Sequence, residues 1–133
     1  MSASSGLARP IGLLLCDDMI FTSRITGTAR DLGLCVKPAR SIPALTSQIH
    51  EQAPCCIIVD LGHPGLSIGD FMKGLGQICT PMPRVVAYGS HVDTAVLRAA
   101  REAGCYAVLP RSKFVEELPR ALPDWMRAET AAG

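Results

Sequence analysis

The run Ile11-Gly12-Leu13-Leu14-Leu15-Cys16-Asp17-Asp18 decides how this chain is read. Six small or apolar residues follow one another without a break and end on two carboxylates. A strand with one wet face would alternate apolar and polar residues. An unbroken run of this length fits a parallel strand covered on both faces. Similar runs recur at Leu34-Cys35-Val36, Cys55-Cys56-Ile57-Ile58-Val59, Val85-Val86-Ala87-Tyr88 and Ala107-Val108-Leu109. Asp60 follows the third run as Asp17 follows the first.

The segments between these runs carry helical spacing. Met19 to Leu32 reads as a first helix with Gly33 just past its end. Ser41 caps a second, with Pro43 in its first turn and Leu45 and Ile49 on one face. Ile68 to Ile78 reads as a third, weakened by Gly69, Gly74 and Gly76. Ser90, with Asp93 three residues on, caps a fourth whose buried stripe is expected at Val92, Ala95, Val96, Ala99 and Ala103. A fifth begins after Ser112, and Pro119 is expected to kink or stop it. Trp125 and Met126, beyond it, are expected to fold back on the domain.

Strand and helix thus alternate five times. That pattern implies a doubly wound α/β domain: a five-stranded parallel sheet with helices on both faces. The expected organisation is a loose segment over residues 1–10, one domain over 11–122 and a tail over 123–133. In open sheets of this kind, function collects at the carboxyl ends of the strands, beside the point where strand order reverses. For an order of 2-1-3-4-5, the first and third strands are neighbours there. Asp17, Asp18 and Asp60 would then share one crevice. Like charges so close raise each other's pKa unless a cation intervenes, and a hard divalent cation such as Mg2+ takes oxygen ligands. A carboxylate beside such a cation can attack phosphorus. Singly, each aspartate could equally be a turn residue or, for Asp18, a helix cap.

With these residues in place the chain resembles the response-regulator receiver domains, the CheY-like branch of the flavodoxin-like folds. The resemblance rests on Leu14-Leu15-Cys16-Asp17-Asp18, on Ile57 through Asp60-Leu61-Gly62-His63-Pro64-Gly65, on Pro83 to Tyr88, and on Ala103-Gly104-Cys105 running to Leu109-Pro110. It implies Asp60 as phosphoacceptor. It implies Asp17 and Asp18 as the pair that binds Mg2+, with the Gly62 backbone carbonyl joining the metal site. The partners it implies are a sensor histidine kinase or phosphotransfer protein and a downstream protein target, with the chain itself a monomer or weak homodimer.

Two signature positions depart. Where the family has Thr or Ser after the fourth strand, this chain has Gly89, with Ser90 one residue late. Where the family has Lys before a Pro after the fifth strand, matching on Pro110 gives Leu109, and the stretch from Gly104 is shorter than usual. Arg111 and Lys113 lie near but do not align in that match. Losing the Lys would remove a charge-assisted contact to phosphate of about 1.5–3 kcal/mol. The resemblance therefore implies either a stand-alone phosphoaccepting receiver or a pseudo-receiver that binds partners without phosphorylation.

Other classes fit less well. Thr22, Ser23, Thr26, Gly27 and Thr28 offer hydroxyls for a flavin phosphate, but they fall inside a helix beside repelling carboxylates. His50, His63 and His91 lie on separate segments with no nucleophile motif, and His63 is expected to be a solvated loop residue. No independent enzyme is expected, beyond Mg-dependent self-phosphorylation or dephosphorylation of Asp60. The balance of 13 basic and 12 acidic residues leaves a net charge of +1, against a nucleic-acid or membrane surface. Cys16, Cys35, Cys55, Cys56, Cys79 and Cys105 form no metal-ligand spacing, and most sit in or beside apolar runs. With no apolar leader before Ile11, they are expected to be reduced thiols in the cytoplasm.

Overall fold

A computed structural model describes residues 9–127. Most of the expected loose segment at 1–10, and the fraying end at 129–133, lie outside the described residues. Strands and helices alternate as β1 (Ile11–Leu15), α1 (Met19–Asp31), β2 (Cys35–Ala39), α2 (Ile42–Glu51), β3 (Cys56–Asp60), α3 (Ile68–Ile78), β4 (Arg84–Gly89), α4 (Thr94–Glu102), β5 (Ala107–Pro110) and α5 (Arg111–Trp125). The sheet is parallel throughout, in the order β2-β1-β3-β4-β5. The doubly wound architecture and its strand order stand as expected. No helix among the described residues is long and apolar enough to cross a membrane.

The unbroken runs are buried because both faces of the sheet are covered. On one side Leu13, Leu15, Ile57, Val59, Val85 and Ala87 pack with Leu45, Leu75 and Leu97 from α2, α3 and α4. On the other, Leu14, Cys16, Ile58, Val86 and Tyr88 pack with Ile25 of α1 and Phe114, Leu118 and Leu122 of α5. Pro38 is tolerated in β2 because that strand is an edge. All six cysteines are free; three are buried and three half-buried.

Two helices differ from expectation. The α4 helix is capped by Asp93, not Ser90, so Val92 falls in the turn before it and is 70% exposed. Its inward residues are Leu97 and Ala100, while Ala95, Val96 and Ala99 face outward. The Ser90 hydroxyl instead accepts the Val92 N–H at 3.4 Å, tightening that turn. The α5 helix starts at Arg111 and runs straight through Pro119 and Pro123. Both prolines lie on the exposed side, so the carbonyls they leave without a donor meet water. The opposite side buries Phe114, Leu118, Leu122 and Trp125. At about 1.5–3 kcal/mol for each such side chain, that burial outweighs the cost of about 3 kcal/mol for an interior proline. Trp125 and Met126 do fold back, so packed structure continues past residue 122. Met126 lies so close on β1 that a Cβ on Gly12 would stand 2.6 Å from its sulfur.

Candidate functional site at the carboxyl end of the sheet

The site forms where β1, β3 and β5 end. Asp60 is the last residue of β3 and only 5% exposed. Alternation along the strand turns its side chain to the same face as Cys56 and Ile58, the α1/α5 side. The carboxylate is held at one oxygen. Oδ1 accepts the Gly62 N–H at 2.8 Å, and an Arg111 guanidinium nitrogen stands 3.9 Å from that oxygen.

The loop after Asp60 is built to fix this geometry. The His63 N–H donates to the Asp60 carbonyl at 3.0 Å, closing a tight turn, and Gly65 takes a left-handed conformation at φ 81°. His63 is buried, not solvated as expected. Its ring nitrogens face two carbonyl oxygens, Nδ1 to Pro64 at 2.9 Å and Nε2 to Arg40 at 2.8 Å. The second contact ties the loop after Asp60 to the loop after β2. A carbonyl has nothing to donate, so a neutral ring satisfies one of them at a time.

Asp17 and Asp18 are exposed at the end of β1. The β1–β3 register pairs Leu15 with Val59, which puts Cys16 level with Asp60 and both acids just past it. Asp18 also caps α1, its Oδ1 accepting the Phe21 N–H at 3.0 Å. The two roles weighed from the sequence, cap and candidate ligand, thus fall on one side chain. Among the described residues, no three His, Cys, Asp or Glu side chains stand close enough to hold a metal ion as they are arranged. By donor type the set still fits a hard cation: two exposed carboxylates and one buried carboxylate at the ends of neighbouring strands.

The other half of the site is aromatic and cationic. Tyr88, level with Asp60 on β4, is fully buried, with its ring centroid 4.9 Å from Phe21 and 4.7 Å from Phe114. Burial, the Cys16 thiol and the Asp60 charge push its phenol far above the ordinary range. The Arg111 guanidinium lies 5.3 Å from the Phe21 ring centre and 5.9 Å from that of Tyr88. Stacking and the Asp60 charge together hold it beside the Asp60 carboxylate.

Arg111 is the residue that matching on Pro110 missed. Leu109 lies within β5, and the cation beside Asp60 is the first residue of α5. Counting forward from Gly104, instead of back from a proline, is the signal that would have found it. Gly89 ends β4 with no hydroxyl, and a Cβ there would meet Leu61 at 3.4 Å and Leu97 at 3.5 Å, ordinary contacts. Ser90 sits beyond it in the turn, turned to the Val92 N–H. Leu109 and Ser90 therefore take no part at the Asp60 carboxylate.

No protein-family model and no curated protein matches this sequence. Solved structures do match. A response-regulator receiver domain from Bermanella marisrubri superposes with a TM-score of 0.77 at 20% identity, covering 90% of this chain and 99% of that one. A putative response regulator from Chloroflexus aurantiacus gives 0.76 at 21%, covering 89% and 98%. The chemotaxis response regulator CheY4 of Vibrio cholerae gives 0.74 at 15%, covering 89% and 99%. The chain therefore has the fold of response-regulator receiver domains, over nearly the whole length of each.

Proposed function

We propose that this chain is a receiver of two-component signalling that accepts a phosphoryl group on Asp60 and signals through the partners it then binds. The observation that carries this reading is the buried Asp60 carboxylate, held at Oδ1 by the Gly62 N–H and faced by Arg111. With Oδ1 so engaged, Oδ2 is the oxygen that forms the bond to phosphorus as the donor's bond breaks. Arg111 then faces the new phosphoryl oxygens and supplies the charge-assisted contact that the family takes from Lys. Asp17, Asp18, Asp60 and the Gly62 carbonyl would hold Mg2+. When bound, that ion offsets negative charge on the group in transfer. The donor is a sensor histidine kinase or phosphotransfer protein, the output a downstream protein target, and the compartment the cytoplasm. No turnover of a separate substrate is proposed.

Gly89 favours a second reading. It leaves no hydroxyl to carry the modification toward α4, and Asp60 is nearly sealed beneath Arg111. A pseudo-receiver of this form would bind partners with Asp60 unmodified. Intact mass after incubation with acetyl phosphate and Mg2+ separates the two. A labile phosphoryl adduct, lost in Asp60→Asn, is expected. Absence of any adduct, together with no Mg2+ affinity, would favour the interaction module instead.

A further inference from the structure

The acceptor site leaves unexplained a cleft beside it, between the amino-terminal turns of α1 and α5. It has a volume of about 600 Å3, and Arg24, Arg111, His91, Ser90 and Ser112 line it above an apolar floor that includes Phe21. A cleft of roughly 300–1,000 Å3 is the ordinary size for a small ligand. We propose that it binds a small organic phosphate and that Arg111 couples this binding to Asp60.

The chemistry of the lining selects the ligand. Two arginines, a histidine and two serines line the cleft, and no carboxylate does. Neither Arg24 nor His91 has an ion-pair partner among the described residues. The first turn of α5 opens into the same space, and its amino-terminal N–H groups have no side-chain cap. Two forked cations suit a dianionic head better than a single carboxylate. The Phe21 ring and the Ile20 and Val115 side chains, also in the lining, suit an apolar or planar body attached to that head. Inorganic phosphate alone would leave this floor uncovered.

Arg111 gives the cleft a consequence. One guanidinium nitrogen stands 3.9 Å from Asp60 Oδ1, while the same side chain lines the cleft. A ligand phosphate competes with Asp60 for that cation. Because the two anions compete for one cation, removing the Asp60 charge should tighten the ligand. The binding itself does not depend on Asp60 being phosphorylated.

The test is an amide NMR titration of the full chain with phenyl phosphate, in buffer without Mg2+, against phenol and inorganic phosphate. Saturable shifts are expected at Phe21, Ser90, Arg111 and Ser112, with affinity about tenfold or more above either comparator. Arg24 is exposed, so Arg24→Gln keeps the fold, as its thermal midpoint should show, and weakens binding about tenfold; Arg24→Lys recovers part of the loss. Asp60→Asn tightens binding about fivefold. The proposal is overturned by an absence of saturable shifts, by shifts confined to Gln52 and Arg84 at the other end of the sheet, by phenol or inorganic phosphate matching phenyl phosphate, or by unchanged affinity in Arg24→Gln. Unchanged affinity in Asp60→Asn overturns the coupling.

Discussion

The two halves of the carboxyl end of the sheet differ in chemistry. The half built on β1 and β3 carries carboxylates, with Asp17 and Asp18 exposed past the end of β1 and Asp60 buried and bonded by the Gly62 N–H. The half built on β4 and β5 ends on Gly89, with no hydroxyl, and passes to Arg111 as its cation. On the proposed reading, the first half would take the phosphoryl group and the second would report it. The contrast separates what the proposed acceptor would need from what a relay to α4 and α5 would need.

The largest effect should come from the packing beneath the cationic half. Phe114 is fully buried and touches Tyr88, Phe21 and Trp125. Phe114→Ala should cost about 3–5 kcal/mol, measured by urea unfolding, and should loosen Arg111 because both rings beneath it lose support. A cost below about 1 kcal/mol would mean that the aromatic cluster is not what anchors this half. Next, Arg111→Gln should lower the yield of phosphorylated Asp60 about tenfold by intact mass, the loss of one charge-assisted contact. Equal yield would show that Arg111 is only a surface pair, whose median worth is small.

Asp18→Ala tests the acidic half. It removes the α1 cap, at about 1 kcal/mol of stability, and should also weaken Mg2+ binding in a calorimetric titration. Loss of stability with unchanged Mg2+ affinity would reduce Asp18 to a cap. The smallest change in stability is expected for Gly89→Ser, since a Cβ at this position meets nothing closer than 3.4 Å. Thermal melting should shift by less than about 1 kcal/mol, while the restored hydroxyl should lengthen adduct lifetime. If lifetime is unchanged, the reporting half lacks more than a hydroxyl.

The sheet was legible because burial on both faces leaves a signal every strand must obey. The run from Ile11 to Cys16 could not be a half-wet strand, and the acids at positions 17, 18 and 60 followed from where such runs stop. Helix phase was less legible. The stripe expected on α4 began from Ser90, whereas Asp93 caps the helix, and that three-residue shift of the cap left Val92 before the helix and Val96 on its outer side. Pro119 and Pro123 misled because their cost is local, whereas the four large side chains that outweigh it are spaced along the opposite side of α5. Arg111 was hidden by Pro110, which drew the match two residues early; its role comes from proximity in space to Asp60, across two strands. His63 looked like a loop residue because nothing local reveals that the Arg40 carbonyl reaches it from a separate loop.

The central claim is that Asp60 is an acceptor with acid on one side and Arg111 on the other. A crystal structure grown with Mg2+ and beryllofluoride, a mimic of the phosphoryl group, tests it most directly. The account predicts the fluoride adduct on Asp60, the ion among Asp17, Asp18 and the Gly62 carbonyl, and the Arg111 guanidinium turned from Asp60 Oδ1 onto the fluorines. A structure with Arg111 still on a bare Asp60, and no ion between the ends of β1 and β3, would contradict it.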